Sequence, residues 1–155
     1  MDSRPAGRAC VAWAVAALCL AASSRAAAVG NGECWTLADE ALKSAGARPA
    51  DGYNFGRELK PGERPVPGDV MQFTSVKLAG RRGGGTYSMT LGTPNHTAVI
   101  REVKGPRSYE VLHQNFGEAG KTVSKVTLDL ADLTEGDVNI FRPIPFSRQG
   151  AQRTF

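Results

Sequence analysis

A single helical period, followed only by strand-like segments, runs through this chain. From Cys34 the apolar positions fall at Cys34, Leu37, Ala38, Ala41, Leu42 and Ala45. That spacing is the i, i+3, i+4, i+7 stripe of an amphipathic helix, and Gly46 is placed to end it. Next comes a stretch crowded with breakers, Pro61-Gly62-Glu63-Arg64-Pro65-Val66-Pro67-Gly68, which cannot be helix. Beyond it the sequence predicts strands over Val70–Thr74, Thr86–Leu91, His96–Val103, Ser108–Asn115, Thr122–Leu128 and Val138–Arg142, each bounded by turn residues. One helix and then five or six strands predict an α+β domain, with the N-terminal helix packed on a mostly antiparallel sheet. Gly68-Asp69-Val70 with Phe73 is echoed by Gly136-Asp137-Val138 with Phe141, which we read as two turn-to-strand junctions. Gly80-Arg81-Arg82-Gly83-Gly84-Gly85 reads as a mobile loop, with Arg81 and Arg82 either solvated or in contact with an acidic substrate.

Ahead of the helix, residues 1–28 have the parts of a secretory signal. Arg4 and Arg8 precede an apolar run from about Ala9 to Ala22, and Ala26-Ala27-Ala28 supplies a small-residue exit. The expectation is a secreted or periplasmic protein cleaved near Ala28, with a domain over 29–145 and a frayed tail over 146–155. No later stretch approaches the roughly 20 apolar residues of a membrane span, so no stable insertion is expected after cleavage. Cleavage would leave 127 of the 155 residues, enough for one core, and we expect a monomer. It would also remove Cys10 and Cys19, leaving Cys34 alone with no partner for a disulfide. The chain carries 19 Lys and Arg against 15 Asp and Glu, and these form no basic stripe with interleaved aromatics, so a nucleic-acid partner is not expected.

A thiol in the first turn of a helix sits at the positive end of the helix dipole, among backbone N–H groups without partners, and both favour the thiolate. A nucleophilic cysteine also needs a base and a group that orients the base. His96 and His113 are the histidines available, on the two strands of one predicted hairpin. If Val103 faces Ser108 across its turn, His96 lies opposite Asn115 and His113 opposite Ala98, and the three side chains share a face. The bland alternatives are a core cysteine and a polar strand end. A three-ligand metal set of Cys34 with the two histidines lacks the short spacing such sites use, so no metal and no cofactor are expected. Asn95-His96-Thr97 is a glycosylation sequon, but a glycan there would block the proposed base.

At these residues the chain resembles the papain-like cysteine amidohydrolase superfamily. The matching pieces are Gly32-Glu33-Cys34-Trp35, Pro67-Gly68-Asp69-Val70-Met71-Gln72-Phe73, His96-Thr97-Ala98-Val99-Ile100 and Tyr109-Glu110-Val111-Leu112-His113-Gln114-Asn115. They are similar to the CHAP-type and cell-wall peptidase branch, and also to a cysteine-proteinase-fold domain of some fungal SH3 proteins. The resemblance implies a papain-like core with Cys34 as nucleophile, His96 as general base, and His113 or Asn115 as the third member. The oxyanion would be held by the Cys34 N–H and by Asn31, although Asn31 also reads as a plain Asn-Gly turn. Trp35, Gln72 and Gln114 are the substrate-binding candidates. The implied activity is hydrolysis of amide or peptide bonds, with a peptide or peptidoglycan partner, and residues 75–94 would hold the loops that choose the substrate. A thiolate–imidazolium pair would give a bell-shaped pH profile. The alternative is a domain that keeps the fold as a binding or scaffold module without activity.

Overall fold

A computed structural model describes residues 27–146. The leader read over residues 1–28 therefore lies outside the described residues up to position 26, and the tail read over 146–155 lies outside them from position 147. Among the described residues there is one α-helix, α1 (Cys34–Ser44), and six strands: β1 (Arg57–Glu58), β2 (Val70–Arg82), β3 (Gly85–Val103), β4 (Ser108–His113), β5 (Ser124–Asp129) and β6 (Leu133–Arg142). They form one sheet in the order β1-β6-β2-β3-β4-β5, with every neighbouring pair antiparallel. No described helix is long and apolar enough to cross a membrane.

The helix is set by its stripe and its ends. Leu37, Ala38, Ala41 and Leu42 are fully buried, and each leucine contributes roughly 1.5–3 kcal/mol by leaving water. At the C-terminus Gly46 takes φ +70°, its N–H reaching the Lys43 carbonyl while the Ala47 N–H reaches Leu42. This Schellman arrangement needs a left-handed residue and stops the helix where the sequence places the stop. The strands supply alternate residues to two layers. Val70, Val99, Leu112 and Phe141 pack under the helix, while Met71, Ala98, Ile100 and Val111 form a second core on the opposite face. Val70 and Leu112 therefore share a layer with Leu37, as the period of two requires.

Several boundaries differ from the sequence reading. Thr86–Leu91 and His96–Val103 belong to one strand, because Gly92–Pro94 form an irregularity opposite Ser75 instead of a break. Residues 80–85 are a tight hairpin, not a mobile loop: Arg82 pairs with Gly85, and Gly83 and Gly84 both have positive φ, as a type I′ turn demands. The substrate-choosing loops expected over 75–94 are accordingly strand for most of their length. Arg82 donates to the Thr127 carbonyl and lies over the Tyr87 ring. The second half of the echoed motif lies inside β6 and pairs with the first, Val70 with Phe141 and Phe73 with Val138. Strand β1 carries no sequence signal, being two residues in a breaker-rich region.

Asp69, just before β2, has no exposed surface and receives two hydrogen bonds from the Arg142 guanidinium and one from the Val66 N–H. Burial pushes the Asp69 carboxyl up against the lowering pull of those donors. Removing the arginine leaves the carboxylate buried without its counter-charge, so Arg142→Met should cost about 3–5 kcal/mol. Urea unfolding measures it, and a loss below about 1 kcal/mol would show that the pair does not anchor β2 to β6.

Candidate active site

The nucleophile candidate is delivered by a turn. Gly30 and Gly32 have φ of +58° and +82°, and a side chain at Gly30 would run into Thr36 Cγ2. Between them Asn31 accepts the Glu33 N–H through Oδ1 at 3.0 Å, an Asx turn that sets Glu33 as N-cap and Cys34 as the first helical residue. Asn31 is thus a turn former, and it does not line the cleft at Cys34. Cys34 itself is half-buried and unpaired. It opens on a cleft of about 470 Å³, walled by Glu33 and Trp35 beside it, Tyr53 from the following loop, His96 from β3, and Asn115 and Phe116 beyond β4. The first N–H groups of a helix have no intrahelical acceptor, and the Cys34 amide is one of them.

The two histidines meet. His96 Nε2 and His113 Nδ1 are 3.0 Å apart, in the central part of the sheet. Phe73 stacks on His96 at 6.1 Å, and Phe116 lies 5.2 Å from His96 and 4.6 Å from His113. Both imidazoles are buried, and burial pushes His96 down to about 4. His113 is pushed down to about 3 by burial and then by its neighbour His96. At neutral pH both are neutral, so in the free domain His96 is a base and not the cation of an ion pair. That corrects the thiolate–imidazolium expectation: the apolar shell of phenylalanines leaves a charged ring unsolvated. With Nε2 engaged by His113, Nδ1 is the nitrogen His96 has left for the thiol. Among the described residues the thiol makes no hydrogen bond; such contacts often tighten only when substrate is bound.

Three consecutive residues after Leu112 take three different jobs. His113 meets His96. Gln114 is fully buried, accepts the Val29 N–H, and donates to the carbonyls of Val29 and Glu33 at 2.9 and 2.7 Å. It is therefore removed from substrate contact and holds instead the turn that delivers Cys34. Asn115 turns into the left-handed region at φ +57° and donates to Glu33 Oε2 at 2.7 Å, so on the wall of the cleft its amide is tied to the helix cap. Lys121 completes that rim by pairing with Glu33 at 2.8 Å. Gln72 is likewise buried, occupied by Thr97 at 2.6 Å, and is not a wall of the cleft, whereas Trp35 is one. Sequence reasoning missed Tyr53 and the role of Gln114. Tyr53 sits among breakers with no periodic signal, and a glutamine between two catalytic candidates gives no sign of whether it points in or out.

Gln114→Ala would leave the Val29 N–H without its acceptor and take one donor each from the Val29 and Glu33 carbonyls, which keep the Gly32 and Leu37 N–H groups. We expect a loss of about 1–3 kcal/mol in urea unfolding, with slower alkylation of Cys34 by iodoacetamide. An unchanged unfolding midpoint would show that the turn holds itself.

The comparisons agree with the second of the two resemblances. Altered inheritance of mitochondria protein 3 of Debaryomyces hansenii is 31% identical over 136 residues, covering 76% of this chain and 14% of that protein. The chain thus spans about one seventh of the length of that relative. A solved structure described as "the crystal structure of Ly7917 with the hydrolyzing product of MDP" superposes with a TM-score of 0.50 at 17% identity, over 85% of this chain and 62% of that one, a likeness of fold alone. The model of the AIM3/BBC1 cysteine proteinase-fold domain matches residues 6–153, beginning within the stretch read as a leader. In the described structure the Ala27 carbonyl at the end of that stretch accepts the Val123 N–H. With one helix on an antiparallel sheet and nearly the whole sequence matched, the chain belongs to the AIM3/BBC1 cysteine proteinase-fold domain family.

Proposed function

We propose that this domain is a thiol hydrolase of amide or peptide bonds, with Cys34 as nucleophile, His96 as general base and His113 as the residue that orients it. The observation that carries this reading is the 3.0 Å contact of His113, from behind, with His96, which lines the same cleft as Cys34. For His96 to accept a proton at Nδ1, its Nε2 must carry hydrogen and donate to a lone pair on His113 Nδ1. His113 then has its own proton on Nε2. Its burial keeps it neutral and able to accept. The Cys34 sulfur attacks the carbonyl carbon as its proton passes to His96 Nδ1, and the oxyanion is met by the Cys34 N–H. His96 next gives that proton to the leaving amine. Water then cleaves the thioester, losing its proton to His96, and the acid is released as the thiol is restored.

A second reading is a binding or scaffold domain of the same fold, favoured by the absence of a hydrogen bond between thiol and imidazole and by the turning of Asn115 to Glu33. Incubation with polypeptide and with peptidoglycan, followed by mass spectrometry of products, separates the two. New amine termini formed by wild type and absent with Cys34→Ala support the hydrolase. Identical products from both proteins on both substrates would leave the binding reading.

A further inference from the structure

The helix that carries Cys34 also grips the loop that follows it. Trp35 and Asp39, one turn apart on the same face, reach the backbone of that loop. Trp35 donates its indole N–H to the Gly52 carbonyl at 2.6 Å, and Asp39, which is 4% exposed, accepts the Ala50 N–H at 2.9 Å. The loop tip is closed on itself by two backbone hydrogen bonds of 3.0 Å between Asp51 and Asn54, with Gly52 at φ +57°. Asp39 holds that loop amide with one carboxylate oxygen while Lys43 pairs with the other at 2.6 Å, so the buried carboxylate is satisfied and ties the loop to the helix. What the pinned tip presents is Tyr53, 51% exposed, on the wall of the cleft with Trp35 and the thiol.

Charge decides what such a wall can take. Glu33 is the charged side chain of the wall, and it is already paired with Lys121 and Asn115. A lysine or glutamate entering there would lose water without gaining a free counter-charge, whereas an aromatic or branched aliphatic side chain gains by leaving water against indole and phenol. We infer that Trp35 and Tyr53 form a side-chain subsite beside Cys34 that selects peptides with a bulky uncharged residue flanking the reacting amide.

The choice of reacting bond rests on the hydrolase reading; the binding preference does not. The test uses the full chain as Cys34→Ala and a set of capped peptides differing at one position, Phe, Leu, Lys or Glu, followed by calorimetric titration. Phe and Leu peptides should bind at least about tenfold more tightly than Lys and Glu peptides. Adding Tyr53→Ala should bring the four within about threefold of one another while circular dichroism stays unchanged. Trp35→Phe keeps an aromatic ring but frees Gly52, and should weaken the preference in part. Equal affinities, no binding by any peptide, or a preference indifferent to Tyr53→Ala would overturn the subsite. Turnover of the same peptides by the unsubstituted protein separates the two ideas. Preference without turnover removes the hydrolase and keeps the subsite; turnover without preference does the reverse.

Discussion

Stability should fall steeply as pH drops from neutrality toward 4, and the histidine pair should be the cause. Above the ordinary value of 6.5 both rings are neutral in the folded and unfolded chains, so protons do not distinguish the states. As pH falls through 6.5 the unfolded chain takes up protons that the folded domain refuses until about 4 at His96 and about 3 at His113. The unfolded state binds more protons throughout that window, so unfolding becomes easier as pH falls. A displacement from 6.5 to about 4 is worth about 3 kcal/mol for His96 alone. That is a large part of the 5–15 kcal/mol typical of a domain. Urea midpoints across this range should drop, and less so in His113→Asn, while NMR titration of the imidazoles should show neither ring charging near 6.5. Ordinary titration of both would contradict the buried pair.

The second large effect concerns turnover. His96→Ala should lower kcat/KM by roughly 10²–10⁴, the range lost with a general base. His113→Ala should cost roughly tenfold to a thousandfold by freeing His96 to adopt the wrong tautomer or angle. Asn115→Ala should change kcat/KM by no more than about threefold, since its side chain serves the exposed helix cap. Steady-state rates on one peptide decide the order. A loss at Asn115 larger than at His113 would reverse the two roles.

Those expectations show where the sequence was readable. Helix α1 was legible because its stripe, its Asn-Gly turn and its Gly46 stop are local signals that agree. The strand cores were legible for the same reason, but their ends were not. Gly83-Gly84 looks like a mobile glycine run, yet the paired positive φ makes it the tightest of hairpins. The histidine register came out correctly for a reason the sequence hid. Val103 faces Tyr109, not Ser108, and a bulge between Ile100 and Glu102 restores the spacing, giving Val99 opposite Leu112. His96 and His113 therefore meet as expected, while Asn115, on the wall of the same cleft, is bonded to Glu33 instead. A two-residue period assumes continuing strand, and β4 stops at His113 before the left-handed Asn115. Burial of the pair was likewise invisible, since it comes from Phe73 on a different strand and from Phe116 beyond the end of β4, where no strand period says which way a side chain turns.

Activation of Cys34 toward a carbonyl by a neutral His96, itself oriented by His113, is the step on which the proposed function stands. Its most direct measurement is intact-mass detection of an acyl group on the protein after mixing with an activated peptide ester. We expect one acyl group on Cys34, formed rapidly in wild type, slowly in His96→Ala and His113→Ala, and not at all in Cys34→Ala. Acylation that proceeds at the same rate with and without His96 would contradict it.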